Sequence, residues 1–377
     1  MEKNSTENKF TIYTSFKESK FLPDDTAVGL LLFMLFQVVI SQAYQTVYTF
    51  GITSTYISYV FNFLMDAGFV LAVLLVVKEK KDARFFNELK ANRKFGFLDV
   101  LICLGISLCC IFGFSAITNC FLQLLYNLGY SSVVSDVMIE NFGVYLFYVF
   151  FMCILPAVSE ETLFRGLIFN GLHKKGTKFA IFFSAFLFMI IHGSPDQTVH
   201  QFILGIVLAI AFLITDNIWI PILIHFFNNF IAITYTYIYS LTSSPVQTET
   251  SVPVTELYLP AYFLYAIISF IVASFIIYGL FKALSVRAKN RDSGKPVQES
   301  VETEVTGTLP PYSVLQSNQD EDIYLDENFV KMKDSLSRDS IDGTKRFTKK
   351  GKVIYILLCI WLAVEWLSMM FVGFMMV

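Results

Sequence analysis

Hydrophobic runs of about 20 residues recur along most of this chain, close to the length an α-helix needs to cross the ~30 Å hydrocarbon core of a bilayer. No other feature restricts the fold so sharply. A backbone in lipid finds no water to bond, so its N–H and C=O groups must be satisfied within a helix or a closed barrel. Strand-like alternation between turn residues is absent, which argues against the barrel. The expected fold is all-α, a polytopic transmembrane helical bundle of about nine spans. They fall near 26–50, 56–77, 97–122, 144–172, 179–192, 199–214, 218–239, 261–284 and 353–377. The fourth contains Pro156, which is expected to kink it.

Composition supports this class. The chain is 55% hydrophobic and only 16% charged, with 40 phenylalanines, a balance that suits lipid-facing helix surfaces and not a water-soluble domain. The net charge of −3 comes with no basic stripe, so nucleic acid is not an expected partner. The segment from Met1 to Asp25 is polar and does not read as a cleaved signal peptide. The six cysteines lie in or beside the hydrophobic runs without a Cys-x-x-Cys pair, and read as small apolar residues.

Basic residues set an orientation by the positive-inside rule. Lys3, Lys9, Lys17 and Lys20 precede the first span. Further clusters lie at 78–94, 173–178, 282–291 and 345–352. The alternate connections carry Asp136, Glu140, Asp196, Glu249 and Glu256 instead. The N-terminus is therefore expected in the cytoplasm, and the chain in the cell membrane. The implied organisation is a cytoplasmic segment 1–25, a membrane domain 26–284, a cytoplasmic, largely disordered segment 285–352 rich in Ser, Thr, Asp, Glu and Pro, and a last span 353–377. The 285–352 segment is expected to tether that span or to bind a protein partner.

Three polar clusters interrupt the apolar spans: Glu160-Glu161-Thr-Leu-Phe-Arg165, Phe188-Met-Ile-Ile-His192 and His225-Phe-Phe-Asn-Asn229. Ionisable groups inside spans are costly, and their default reading is a functional site. Counted from the cytoplasmic boundary at about 1.5 Å per residue, Glu160 and His192 lie roughly 20 Å deep, and His225 and Asn229 roughly 12 and 18 Å deep. Four residues on three helices thus approach one level. Residues four apart share a helix face, so His225 and Asn229 can point together, and Glu161 and Arg165 can pair. Glu160, about 100° round the helix from Glu161, is left for chemistry.

Removed from water, a carboxylate holds a proton more readily, which suits a general base near neutral pH. Glu160 is the candidate base toward a water held with His192. His225 and Asn229 are candidate hydrogen-bond donors to an oxyanion. A second arrangement is also open, in which Glu160, His192 and His225 bind zinc or another divalent metal that activates the water. Asp66 and Glu365, in the second and ninth spans, read as helix contacts or proton-path residues. His200 reads as an interfacial residue, and Asn228 as one that supports the site or packs against a neighbouring helix.

The ordered set Glu-Glu-x-x-x-Arg, Phe-x-x-x-His and His-x-x-x-Asn resembles the CAAX-protease and bacteriocin-processing (CPBP, or Abi) family of intramembrane proteases. The likeness covers roughly 144–233. It implies a helical peptidase in which Glu160 activates water, His192 helps hold it, His225 and Asn229 form the oxyanion site, and Glu161 and Arg165 support the structure. Members have been described both as metalloproteases and as metal-independent glutamate proteases. Eukaryotic relatives remove the last three residues of prenylated CAAX proteins, and bacterial relatives are linked to bacteriocin immunity, peptide maturation and cell-surface regulation. The expected partners are membrane lipid and a peptide or protein substrate, including a lipidated one. Two other functions compete: a non-catalytic scaffold or immunity protein, and a proton-coupled transporter using Asp66, Glu160 and Glu365.

Overall fold

A computed structural model describes residues 12–52, 55–132, 139–242, 259–294 and 347–375. All regular structure among them is helical. Each of the nine expected segments is a helix: α1 Pro23–Thr49, α2 Thr55–Lys78, α3 Phe97–Asn127, α4 Phe142–His173, α5 Thr177–Ile191, α6 Thr198–Thr215, α7 Trp219–Thr242, α8 Leu259–Asp292 and α9 Lys349–Met375. Seven are long and apolar enough to cross a membrane. Of the other two, α5 is short and apolar, while α7 is long but carries His225, Asn228 and Asn229.

The helix starts follow local chemistry. Pro23 occupies the first turn of α1, where its missing N–H costs nothing. The Asp25 carboxylate accepts the Leu22 N–H at 2.6 Å. Asp99 does the same for Gly96 at the start of α3, at 2.8 Å. The Asn141 side chain caps α4 by accepting from the Val144 N–H at 3.0 Å. α3 contains a π-helical turn at Cys109–Gly113, and α4 contains two, Val149–Ile154 and Thr162–Phe169.

The loops gather into two sets at opposite ends. At one end the extended segment 12–22 crosses the helix termini. Ser15 N–H donates to the Ile214 carbonyl at 2.9 Å, and Lys17 N–H to Asp216 at 3.2 Å. Phe16 packs on His173, ring centroids 4.2 Å apart. Arg93 joins Asp216 at 2.8 Å and Asp292 at 2.6 Å. Tyr13 donates to Asp292 at 3.0 Å, and burial with the Asp292 carboxylate pushes its hydroxyl up to about 12. At the other end Tyr130 donates to Asp196 at 2.8 Å, and Ser131 N–H to the Gly373 carbonyl at 2.9 Å. Tyr145 on α4 stacks on Tyr237 of α7 at 4.7 Å.

The eighth helix runs on to Asp292, eight residues past the apolar boundary at 284. Hydropathy marks where apolar side chains stop, and this last stretch is a polar helix. Arg287 Nε donates to Asp99 at 2.5 Å, and Ser285 Oγ to the Tyr13 carbonyl at 2.7 Å. Residues 285–292 of the segment expected to be disordered are therefore helical, and its stretch 295–346 lies outside the described residues. All six cysteines are free; Cys103, Cys110 and Cys153 are buried and the others half-buried.

α4 runs through the core. Leu163, Phe164, Arg165, Leu167, Ile168 and Phe169 are all fully buried. It packs against α1, α2, α5, α6 and α7, so its polar residues are enclosed by neighbouring helices.

Candidate active site

Glu160 and Glu161 end the short α-helical stretch Leu155–Glu161 between the two π segments of α4. π-Helical insertions often mark functional sites because they re-aim side chains. The two carboxylates part company here. Glu161 is fully buried and accepts from Arg165 Nη1 at 2.7 Å, the Arg165 side chain being fully buried too. His225 Nδ1 lies 3.1 Å from the same Glu161 oxygen. Arg165 Nη2 donates to the Gly205 carbonyl at 3.0 Å, and its guanidinium sits 4.7 Å from the Phe188 ring centroid. A charge pair that would be very costly alone in hydrocarbon is thus enclosed by an imidazole, a backbone carbonyl and an aromatic face.

Gly205 has a steric role. A Cβ there would lie 2.9 Å from the Ala185 Cα, so glycine lets α5 and α6 approach backbone to backbone. That approach presents the carbonyl which Arg165 uses.

Glu160 faces the other way. Its Oε2 is buried, makes no hydrogen bond among the described residues, and lies 3.8 Å from His192 Nε2. That is beyond a direct hydrogen bond, yet one water can contact both atoms. His192 follows the last residue of α5. Its own N–H turns to the Met189 carbonyl at 3.3 Å, which leaves the Phe188 carbonyl for the ring Nδ1 at 2.7 Å. That carbonyl is backbone and independent of the side chain at 188; the phenylalanine contributes its ring, whose centroid lies 4.9 Å from that of His192 and 5.6 Å from that of His225. With Nδ1–H donating to Phe188, the neutral ring presents its Nε2 lone pair toward Glu160.

Asn229 is held by a defect in α4. An α-helix would give the Met152 carbonyl the N–H of residue 156, and Pro156 has none. Asn229 Nδ2 donates to that carbonyl at 3.0 Å. One of its two N–H donors is thereby used and one is left. Asn228 Nδ2 in turn donates to Asn229 Oδ1 at 3.3 Å.

Of the six residues singled out from the sequence, Glu161, Arg165 and His225 form one bonded cluster, Glu160 and His192 oppose each other, and Asn229 bonds the Met152 carbonyl. His225 is bonded to Glu161, a link the spacing does not show. Three participants were not assigned a site role. Phe188 touches His192, His225 and Arg165; its place as the first residue of the second motif was the available signal. Asp66 on α2 accepts from Ser159 Oγ at 2.8 Å and lies near enough to act electrostatically on Glu160. His200 lies within similar reach of His192 and His225. Glu365 accepts from Trp361 Nε1 at 2.7 Å.

Among the described residues no three His, Cys, Asp or Glu side chains are grouped so as to hold a metal ion. His225 turns Nδ1 to Glu161 and keeps its other ring nitrogen, Nε2, out of that bond.

A cavity of about 660 Å³ opens beside His192, lined also by Gly193, Ser194 and the α9 residues Trp361, Val364, Glu365, Ser368 and Met369. No curated protein and no solved structure matches the chain. A family model does match, over the stretch that supplies Glu160, Glu161, Arg165, His192, His225 and Asn229. Residues 142–231 match the model of a family described as type II CAAX prenyl endopeptidase Rce1-like.

Proposed function

We propose that this membrane protein is an intramembrane endopeptidase that cleaves a peptide bond in a peptide or protein substrate with water activated by Glu160. The reading is supported most by one observation. The Glu160 carboxylate and the His192 ring nitrogen oppose each other at 3.8 Å inside the segment that matches the Rce1-like family, which suggests CAAX-type protease activity.

A water between these groups donates one hydrogen to Glu160 and the other to His192 Nε2. Its oxygen lone pair is then aimed at the scissile carbonyl. As the C–O bond forms, Glu160 takes the proton, the role in which a positioned carboxylate accelerates reactions ~10²–10⁴-fold. The carbonyl oxygen gains negative charge, met by the spare N–H of Asn229 and by His225. The intermediate collapses, the C–N bond breaks, and Glu160 returns its proton to the leaving amine. Arg165, paired with Glu161 at 2.7 Å, holds that carboxylate in place.

The end of the bundle carrying Lys20, Lys80, Arg93 and Arg287 is proposed to face the cytoplasm, in the cell membrane. The connection between the end of α8 at Asp292 and the start of α9 at Lys349 is proposed as a cytoplasmic tether for α9. Lipidated substrates belong to this proposal through the family's prenyl endopeptidase description.

Comparison of the membrane peptidome of cells carrying the wild-type chain or Glu160→Ala tests the reading. Defined cleavage products present only with the wild-type chain are expected. Identical peptidomes at equal expression would contradict it, and favour a scaffold.

A further inference from the structure

The ninth helix lies outside the matched domain, yet it forms one wall of the cavity at His192. It is fixed at both ends. Thr348 N–H donates to Asp24 at 3.0 Å, and Gly351 lies so close to Asp24 that a Cβ would overlap the carboxylate. Near its other end Trp366 Nε1 donates to Thr198 Oγ1 at 3.0 Å, and the Gly373 carbonyl accepts from Ser131. Tyr355 is buried against Phe183, ring centroids 5.5 Å apart. α9 is thus docked along its length, with Trp361 and Glu365 opposite His192.

Glu365 is exposed and lies roughly 24 Å along the helix from Lys349 and 15 Å from Met375, at about 1.5 Å per residue. A carboxylate at that depth cannot rest against lipid cheaply. The cavity gives it another surrounding. Trp361 Nε1 donates to the Glu365 Oε1 at 2.7 Å, and both side chains line the cavity. Glu365 is the one carboxylate among the lining residues, and no Lys or Arg is among them. Trp361, Val364 and Met369 surround it with apolar surface. One acceptor charge inside an apolar wall suits a long side chain with an aliphatic stem and a cationic head, and an indole adds attraction for the cation.

We propose that α9 is the specificity wall of the site, with Glu365 binding a lysine or arginine side chain of the substrate next to the bond cleaved at Glu160 and His192. The inference rests on the endopeptidase reading and adds the substrate class. Water carried along Glu365 to His192 is the competing use of the same cavity, and it predicts no discrimination between peptides.

The test uses the full chain in lipid nanodiscs and a synthetic peptide library that differs only by Lys, Gln or Glu near the cleaved bond. The ratio of kcat/KM for Lys over Gln peptides is expected to be about tenfold or more in the wild-type chain, mainly through KM. It should fall near one in Glu365→Gln and invert in favour of Glu peptides in Glu365→Lys. An unchanged ratio in both variants overturns the proposal, as does equal slowing of all peptides. Binding of the same peptides to Glu160→Gln chains, with and without Glu365→Gln, is measured in parallel. Lys-selective binding through Glu365 without wild-type cleavage would sink the peptidase reading and keep only the cation site at Glu365. Absence of both selectivity and cleavage would sink both.

Discussion

Arg165 is the residue on which the interior of the site turns. It is fully buried, and its charge is compensated by Glu161, by the Gly205 carbonyl and by the Phe188 face. Taking one partner out of a buried pair leaves the other as an uncompensated ion, which costs about 3–5 kcal/mol, whereas removing both is often much less harmful. Arg165→Met should therefore lower stability by roughly that amount, and the double variant Glu161→Gln/Arg165→Met by clearly less. Thermal unfolding in nanodiscs measures both; a single variant as stable as the wild-type chain would show the pair to be of no structural weight. The spacing of four along a helix makes this pair readable from the sequence. The His225 bond to Glu161 is not readable, because it joins residues 64 apart and depends on how α4 and α7 pack.

At the scale of elements, α4 works because it is irregular. Pro156 withdraws an N–H and Asn229, on a different helix, supplies one in its place. Asn170 does similar service for the second π segment, donating to the Arg165 and Gly166 carbonyls at 3.1 and 2.8 Å. If Asn229 compensates for Pro156, the two positions are energetically coupled. Truncating Asn229 to Ala should cost about 1 kcal/mol less in a Pro156→Ala background than in the wild-type chain. A double-mutant cycle on the unfolding transition reads this directly, and strict additivity would remove the compensation. Pro156 announces a kink in the sequence, but the π segments do not announce themselves, since they reflect how the helix meets its neighbours. The Phe188 carbonyl bond of His192 belongs to the same class of detail: the four-residue spacing is visible, and the helix ending that makes it possible is not.

At the scale of the molecule, the nine helical segments are visible in the sequence because hydropathy records which stretches avoid water. Their order of packing is not visible. In lipid every apolar face is at home, so neighbours are selected by close approach at small residues and by polar contacts. Gly205 against Ala185, and Gly351 against Asp24, are such points. The placement of α9 on the cavity at His192 follows from contacts of this kind, and its sequence reads only as one more apolar run. The sorting of loops into two sets is legible in part, because basic residues mark one set of connections, although the ion pairs formed by Arg93 and Arg287 there are not.

The central claim for the whole assembly is that the enclosed Glu160 and His192 pair activates water for peptide cleavage. Its most direct test is the turnover of a substrate peptide by the chain reconstituted in nanodiscs, with Glu160→Gln as the comparison. That change keeps the shape and removes the base. The account predicts a fall in kcat/KM of at least about 100-fold with an unchanged unfolding transition; cleavage by Glu160→Gln at the wild-type rate would contradict it.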